Sequence, residues 1–316
     1  MAEQKVIMTD PRQEDYFYQE AIKTLRTNIQ FAGMDVKTIL FTSCYPNEGK
    51  SDITFQLSQE IGKLGKKVLL LDADIRKSIL ASRYGVGKQV QGLSNYLSGQ
   101  ASIAEIIYRT NYENMDIIFS GSFAPNPSEL LGQEAFGTLL GAVREHYDYI
   151  IVDTPPIGSI IDAAIVAKQC DGAVLVFESE LVSSKEAARV KEQLLMTGCR
   201  LIGAVLNKVD VKKNKYYHRY DYYYHGYQEK KEVTKKKKKK KNGTQLMGGD
   251  RKETDEKEKI FEMVDRGGIS GFHCRSGNIC IYAVQGGTDV GRRRHERRNI
   301  RLGIGYYMER QDIQLQ

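Results

Sequence analysis

The chain has 316 residues, enough for one large domain or two smaller ones around a sizeable buried core. Its formal net charge is +7, and the run Lys235–Lys241 supplies seven positive charges by itself. The rest of the chain is therefore balanced, which argues against a general nucleic-acid-binding protein, and no nucleic-acid partner is expected.

Cysteine usage and hydropathy indicate a cytoplasmic protein. The five cysteines show no C-x-x-C spacing, which is typical of free thiols in a reducing compartment. No uninterrupted apolar run approaches the roughly 18 residues that a membrane-spanning helix needs. Residues 1–20 lack the apolar core of a secretory signal. Any membrane contact is expected to come through a partner or through the basic tail.

Residues 1–13 are mostly polar and are predicted to be flexible, and residues 14–31 are predicted to form a helix. The apolar residues of this helix recur at helical spacing: Tyr18, Ile22, Leu25 and Ile29. Three charged residues follow each other at three-residue intervals on one side: Glu20, Lys23 and Arg26. The usual meaning of such spacing is a solvated charged face.

The stretch Thr38–Ser51 predicts a phosphate-binding loop. A run of strand formers is followed by a turn and then by Gly49, Lys50 and Ser51 at the start of a helix. In such a loop the backbone N–H groups bind the anion, the lysine reaches the β- and γ-phosphates, and the serine can hold Mg²⁺. The full pattern G-x-x-x-x-G-K-[ST] begins with a glycine, and Cys44 stands at that position. An ordinary turn into a helix is the simpler explanation, but the flanking strand and helix patterns favour the phosphate loop.

Two further apolar runs, Val68–Leu71 and Tyr149–Val152, are predicted to be buried parallel strands that end in carboxylates. Asp72 and Asp74 follow the first run, and Asp153 follows the second. The carboxyl ends of parallel strands face the ligand crevice, so these carboxylates indicate metal binding or activation of a nucleophile. Helix capping is the alternative for the first pair, and a strand that ends in Asp is a common pattern by itself.

More strands are predicted at about 115–119, 172–177 and 201–206, with a helix at about 183–197 and a loop that caps a short helix at 125–131. The whole pattern predicts an α/β fold with a doubly wound, mostly parallel sheet of the P-loop NTPase type. A disordered C-terminal tail is expected to follow it.

The last of these strands ends in N-K-V-D at Asn207 to Asp210, which fits the N-K-x-D base-reading pattern of GTPases. GTPases also carry D-x-x-G after the second carboxylate strand, whereas Asp153 is followed by T-P-P. Guanine specificity is therefore the weaker hypothesis.

The tail from 212 to 241 combines the lysine run with seven clustered tyrosines: Tyr216, Tyr217, Tyr220, Tyr222, Tyr223, Tyr224 and Tyr227. A disordered, adhesive segment is one interpretation, and a cluster of phosphoacceptors beside a kinase domain is the favoured one. Residues 242–316 are unassigned, and two interpretations stay open. They form either a disordered, basic interaction tail or an out-of-frame product of slippage at the lysine run.

Residues from about Glu20 to Asp210 resemble the bacterial tyrosine kinases of capsular and exopolysaccharide synthesis. The motifs that carry the resemblance are P-N-E-G-K-S, L-D-A-D-I-R, P-N-P-S-E-L-L and I-I-V-D-T-P-P, together with the tyrosine-rich tail. The resemblance implies ATP and Mg²⁺ as cofactors, autophosphorylation of the tyrosine cluster, and a membrane-anchored activator or chain-length regulator. It also implies protein tyrosine substrates, a tyrosine phosphatase as a counterpart, and a location at the inner face of the membrane through the activator.

The same resemblance assigns roles to residues. It implies a catalytic set of Lys50, Asp72 and Asp74, in which Asp72 accepts the tyrosine proton. It implies a nucleotide-binding set of Gly49, Lys50, Ser51 and Asn207. It implies a metal-binding set of Ser51, Asp74 and Asp153. A homo-oligomeric ring is implied through a Glu-x-x-Arg-x-x-Arg helix, which here reads Glu20, Lys23 and Arg26. Lysine at the middle position keeps the charge but lacks bidentate geometry.

The competing hypothesis is a partition- or division-type P-loop ATPase that acts as an assembly switch. Such ATPases carry a lysine early in the loop, where this chain has Tyr45, and they lack a tyrosine cluster. The kinase hypothesis is therefore favoured.

Overall fold

A computed structural model describes residues 4–12, 15–87, 90–209, 273–276 and 279–283. The tyrosine cluster and the lysine run of the tail lie outside these residues.

The described residues contain ten strands in one sheet, with the order β1-β4-β5-β3-β6-β2-β7-β8-β10-β9. The strands are β1 (Gln4–Lys5), β2 (Thr38–Ser43), β3 (Val68–Asp72), β4 (Tyr108–Arg109), β5 (Met115–Ile118), β6 (Tyr149–Asp153), β7 (Gly172–Glu178), β8 (Leu201–Asn207), β9 (His273–Ser276) and β10 (Ile279–Ala283). The run from β5 to β8 is parallel throughout. β4 and β10 pair antiparallel with the two ends of this run.

Helices connect the strands. They are α1 (Tyr16–Gln30), α2 (Lys50–Gly62), α3 (Leu80–Arg83), α4 (Leu93–Leu97), α5 (Ile103–Ile106), α6 (Pro127–Leu131), α7 (Glu134–Arg144), α8 (Asp162–Ala167) and α9 (Ser184–Leu195). The predicted helix over residues 14–31 is α1, and it begins after Asp15, whose side chain accepts hydrogen bonds from the N–H groups of Phe17 and Tyr18.

Two hydrophobic cores lie on the two faces of the sheet. The α8 core includes Phe136 of α7, Val166 of α8 and Val190 of α9. The α1 core includes Ile22 of α1 and Phe55 of α2.

Strands β2, β3 and β6 explain the continuous apolar runs in the sequence, because both of their faces are covered. In β2, Leu40 belongs to the α8 core, while Ile39 and Phe41 belong to the α1 core. Neighbouring residues of one strand therefore pack in different cores, as expected when successive side chains point to opposite faces. The doubly wound, mostly parallel sheet predicted from the sequence is confirmed.

The structure differs from the expected flexible N-terminus over residues 1–13. Gln4–Lys5 forms β1 against β4, and Met8 is buried in the α1 core. The Met8 N–H donates to the side-chain oxygen of Asn111 at 2.8 Å. This N-terminal segment therefore contributes to the domain that was expected to begin at residue 14.

Two short strands, β9 and β10, lie in the range 242–316, for which the sequence offered no structural assignment. β10 pairs antiparallel with β8, and β9 pairs with β10. Within the described part of the chain, no helix is long and apolar enough to span a membrane.

Candidate active site

The loop after β2 places Lys50 at the first position of α2. Gly49, just before it, has a φ of +91°, a left-handed conformation that suits glycine. A Cβ atom at Gly49 would lie 2.1 Å from Nδ2 of Asn207, so the approach of β8 also requires glycine here. The predicted nucleotide-binding residues Gly49, Lys50 and Asn207 thus meet at one point.

Glu48 braces this loop from inside. Its side chain is fully buried, and its carboxylate accepts hydrogen bonds from the N–H of Tyr45 at 2.7 Å and from the N–H of Glu178 at 3.0 Å. Its carbonyl oxygen accepts from Nδ2 of Asn207 at 2.9 Å. Burial raises the pKa of Glu48 to about 7, although these donors favour the charged form. The loop is therefore fixed to the ends of both β7 and β8.

The two unusual loop residues, Cys44 and Tyr45, make structural contacts. Cys44 is buried, and a Cβ atom on Gly158 would lie 2.4 Å from its carbonyl oxygen. Burial raises the pKa of the Cys44 thiol to about 12, so it is a poor nucleophile. The Tyr45 hydroxyl donates a short hydrogen bond to Glu186 of α9. Tyr45 thus ties the loop to α9.

Asp72 and Asp153 stand side by side at the carboxyl ends of β3 and β6, where they are register partners. Both are almost fully buried. Burial raises the pKa of Asp153 to about 6, and the charge of Lys50 opposes this rise. Burial and the neighbouring Asp153 together raise the pKa of Asp72 well above its usual range. Two carboxylates in this position need a cation or a proton to be stable.

The segment after β3 turns back on itself through Asp72 and Asp74. The Asp74 N–H donates to Oδ1 of Asp72 at 3.2 Å, and Oδ1 of Asp74 accepts from the N–H of Lys77 at 3.0 Å. The Ser78 hydroxyl donates a short hydrogen bond to the other oxygen of Asp72.

These residues surround a cavity of about 600 Å³. Its lining contains all but one of the predicted catalytic, nucleotide and metal residues: Gly49, Lys50, Ser51, Asp74, Asp153 and Asn207. Asp72 is the exception, because it lies behind Ser78, which does line the cavity. The volume is in the range of ordinary small-ligand sites.

The donor set is compatible with Mg²⁺. Oδ1 of Asp153 is buried and has no hydrogen-bond partner within the described residues, so it is free to bind a cation. Over the same residues, no group of three or more His, Cys, Asp or Glu side chains is arranged as a metal cage. Mg²⁺ commonly binds through one or two protein oxygens and takes its other ligands from phosphates and water, so a complete protein cage is not needed.

Asn207 contacts the loop rather than standing apart as a base-reading group. Its Nδ2 is committed to Glu48, and Lys208 next to it contacts the carbonyl oxygen of Asn47 at 2.8 Å and Glu178 at 2.7 Å. The fourth residue of the N-K-x-D pattern, Asp210, lies outside the described residues.

The predicted oligomerisation residues are separated by the structure into two environments. Glu20 and Lys23 form a half-exposed ion pair at 2.7 Å on α1. Arg26 instead points to α2, where it contacts Glu60 at 3.3 Å with little exposure. The phosphoacceptor tyrosines 216–227 lie outside the described residues.

Sequence reasoning missed Glu48 as a brace. A carboxylate within a phosphate loop was a usable signal, because an exposed one would repel the ligand and should therefore be turned inward. It also assigned no role to Arg76 and Ser128, although they belong to the motifs L-D-A-D-I-R and P-N-P-S-E-L-L.

The fold and the cavity define a nucleotide-binding protein of the P-loop class. A family model described as an AAA domain matches residues 36–195, half of the chain. Tyrosine-protein kinase CpsD of Streptococcus pneumoniae serotype 4 is 38% identical over 198 residues, which cover 63% of this chain and 87% of that protein. Tyrosine-protein kinase YwqD of Bacillus subtilis is 36% identical over 217 residues, which cover 68% and 90%.

Solved structures agree. The kinase domain of Escherichia coli tyrosine kinase ETK matches with a TM-score of 0.58 and 32% identity, and the match covers 62% of this chain and 81% of that one. The chimerical protein CapA2B2 matches with a TM-score of 0.57 and 34% identity, and the match covers 60% and 83%. The chain belongs to the bacterial tyrosine kinase family and is a protein-tyrosine kinase, as its motifs predicted.

Proposed function

We propose that this kinase transfers the γ-phosphoryl group of ATP, with Mg²⁺, to tyrosines that include its own Tyr216–Tyr227 cluster. It thereby regulates capsular or exopolysaccharide synthesis and export. The observation that carries the proposal is the meeting of Lys50, Ser51 and the unpaired oxygen of Asp153 in one cavity. This is the arrangement that phosphoryl transfer requires, because its catalysis depends on positioning and on neutralising charge.

Each residue has a proposed role. Lys50 binds the β- and γ-phosphates, and the loop N–H groups behind Gly49 cradle them. Ser51, Asp74 and Asp153 would hold Mg²⁺, which would supply positive charge against the negative charge that develops during transfer. Asn207 supports the nucleotide site through its contact with Glu48.

Asp72 is the proposed base, and Ser78 gives it a path to the cavity. Ser78 lines the cavity, and its hydroxyl donates a hydrogen bond to Asp72. When the tyrosine oxygen bonds to phosphorus and the bond to the ADP oxygen breaks, the tyrosine proton passes to Ser78 and the Ser78 proton passes to Asp72.

The proposed partners are a membrane-anchored activator or chain-length regulator, protein tyrosine substrates and a tyrosine phosphatase. The activator places the kinase at the inner face of the membrane. Support comes from the resemblance to the kinases of capsular and exopolysaccharide synthesis and from the similarity to the chimerical protein CapA2B2. A ring built on Glu20, Lys23 and Arg26 is also proposed. Within one copy, Arg26 pairs with Glu60 of α2.

The test is phosphotyrosine detection after incubation with ATP, Mg²⁺ and the cytoplasmic fragment of the activator. We expect signal from the wild type and from Lys66→Met, a surface lysine paired with Asp148, and none from Lys50→Met. ATP hydrolysis without phosphotyrosine in the wild type would contradict the proposal and favour the assembly-switch ATPase.

The domain boundaries are part of the same proposal: a kinase domain over 14–211, to which the segment before it also contributes, a tyrosine- and lysine-rich tail over 212–241, and a remainder over 242–316 that is either an interaction tail or out of frame. Intact mass of the native protein tests the last boundary. A product at the mass of all 316 residues would contradict the out-of-frame hypothesis for 242–316.

A further inference from the structure

Two sequence motifs that the proposed chemistry leaves without a role meet in the structure. Arg76 ends the motif L-D-A-D-I-R, and Ser128 lies in P-N-P-S-E-L-L at the start of α6. The side chains of both residues contact Asp162, the first residue of α8. Residues more than thirty positions apart along the chain thus converge on one carboxylate.

The three side chains satisfy one another's hydrogen-bonding groups. Nε and Nη2 of Arg76 donate to the two oxygens of Asp162 at 2.5 and 3.0 Å, which is a bidentate pair. Nη2 of Arg76 also donates to the Ser128 hydroxyl at 2.8 Å. That hydroxyl donates in turn to Oδ1 of Asp162 at 2.7 Å.

The carboxylate of Asp162 is almost fully buried, at 1% exposure, while Arg76 is 36% exposed. A buried carboxylate is costly unless it is paired and hydrogen-bonded, so Asp162 holds Arg76 in place firmly. The hydrogen bond to Asp162 raises the pKa of Arg76, which stays charged.

Arg76 is also part of the segment that shapes the active site. It follows Asp72 and Asp74 by a few residues, and it lines the same cavity as Asp74 and Ser78. The contacts of Arg76 with Asp162 and Ser128 therefore hold the far end of the turn that begins at Asp72.

We propose that Arg76, Ser128 and Asp162 form a latch that positions the 72–78 turn, so that Asp74 meets the metal and Ser78 meets the acceptor tyrosine. They act as positioning residues through Asp74 and Ser78. This proposal rests on the proposed function, because it assumes the metal and proton roles given above. Its distinctive consequence is that the latch governs the Mg²⁺-dependent part of the reaction and leaves the phosphate loop at Lys50 alone.

The test compares Arg76→Gln, Arg76→Lys and Ser128→Ala with a matched control, Arg144→Gln. Arg144 also pairs with a carboxylate, Asp171 at 2.5 Å, and its exposure of 38% is close to that of Arg76. Its other contacts are to Thr38 and Asp35, at the amino ends of the parallel strands, whereas the cavity lies at their carboxyl ends. Arg144→Gln therefore shows what the loss of an Arg–Asp ion pair does when the pair lies away from the cavity.

Three quantities are measured on the full chain: kcat for phosphorylation of a tyrosine peptide, ADP affinity with and without Mg²⁺, and the melting temperature. We expect Arg76→Gln to lower kcat by about tenfold to a hundredfold, as a small misplacement of reacting groups does. We expect Mg²⁺ to strengthen ADP binding in the wild type. In Arg76→Gln, most of this gain in ADP affinity should be lost. ADP affinity without Mg²⁺ should stay within about twofold, because the phosphate loop is untouched.

Arg76→Lys should behave like Arg76→Gln, because lysine keeps the charge but lacks the fork that contacts both oxygens. Ser128→Ala removes the hydroxyl and leaves the Arg76–Asp162 ion pair intact, so it should lower kcat less than Arg76→Gln does. It also keeps the proposal testable if Arg76→Gln fails to fold. Arg144→Gln should lower the melting temperature with kcat unchanged.

Equal losses of kcat in Arg76→Gln and Arg144→Gln would overturn the latch, as would full activity of Arg76→Lys. A wild type without any phosphotransfer would refute the proposed function instead. In that case the Mg²⁺ dependence of ADP binding still decides the latch, since it needs no kinase activity.

Discussion

Gly49 stands where the nucleotide loop turns into α2, and two separate features require glycine there. A φ of +91° costs a side-chain-bearing residue roughly 1–2 kcal/mol, and a Cβ atom would lie 2.1 Å from Nδ2 of Asn207. We therefore expect Gly49→Ala to weaken nucleotide binding by about tenfold or more, because the loop must move away from β8. A fluorescent nucleotide titration measures the change.

Gly65 is the matched control for that substitution. It also has a positive φ, +75°, but nothing lies within 4 Å of the Cβ position. Gly65→Ala should lower stability slightly and leave nucleotide binding unchanged. Equal nucleotide affinities in the two variants would show that the approach of Asn207 is unimportant.

Glu48 gives the fold a pH dependence that can be measured. Its pKa in the folded protein is about 7, above the 4.5 of the unfolded chain, so the folded state holds its proton more tightly. The stabilisation from this proton is complete below about pH 4.5 and is lost as pH rises through about 7, by up to about 3 kcal/mol. Glu48→Gln has no such proton, so its free energy of unfolding should lack this decline.

Urea unfolding of the wild type and Glu48→Gln at several pH values between 4.5 and 8 measures the difference. The free energy of unfolding of the wild type minus that of Glu48→Gln should fall with rising pH. A constant gap would mean that Glu48 does not titrate in this window.

At the scale of single residues, the sequence predicted groups that line the cavity but not those that lie behind them. Lys50, Ser51 and Asp153 were identified because phosphate loops and strand ends have local patterns. Glu48 could not be assigned, since its partners Glu178 and Asn207 are 130 and 159 residues away along the chain. Only the pairing of β7 and β8 beside the loop brings them together.

Helix α1 carries two kinds of charged contact, and they should respond differently to mutation. Arg26→Ala leaves the nearly buried Glu60 with one fewer partner, which should cost about 1–3 kcal/mol of stability. Lys23→Ala breaks a half-exposed pair with Glu20 and should cost less than about 1 kcal/mol. If this face assembles, Lys23→Ala should reduce oligomer size without unfolding the protein.

Light scattering measures oligomer size and urea unfolding measures stability in the same two variants. A smaller oligomer in Arg26→Ala alone, with Lys23→Ala like the wild type, would remove Glu20 and Lys23 from the proposed ring.

Elements with a strong apolar pattern were predicted well, and short ones were not. β2, β3 and β6 were identified almost to the residue, because a strand buried on both faces reads as a continuous apolar run. The two-residue strands β1 and β4 carry no periodicity, and helices such as α4 and α5 are too short to show one. Their positions depend on contacts with distant segments.

The charge of the whole chain should change sign when its tail is phosphorylated. Seven phosphotyrosines would add roughly 10 to 14 negative charges, which exceeds the formal net charge of +7. We expect assembly size at low salt to change on phosphorylation, because the charge that the chain presents to other copies reverses its sign, and the change to be smaller at high salt. Light scattering before and after phosphorylation measures it, with all seven tyrosines changed to Phe as the control.

The sheet separates α1 and α2 on one face from α8 on the other, so a movement of α1 reaches some parts of the site more directly than others. α1 and α2 share the α1 core and are joined by Arg26 and Glu60, and α2 starts at Lys50. Asp162 belongs to α8 on the other face. A rotation of α1 on docking with another copy would therefore reach Lys50 through the shared core, the Arg26–Glu60 pair and one unbroken helix. Ser51, the next residue of α2, hydrogen-bonds Asp153 and would carry the same movement to that carboxylate, so contact between copies should alter the loop at Lys50 and the position of Asp153 together.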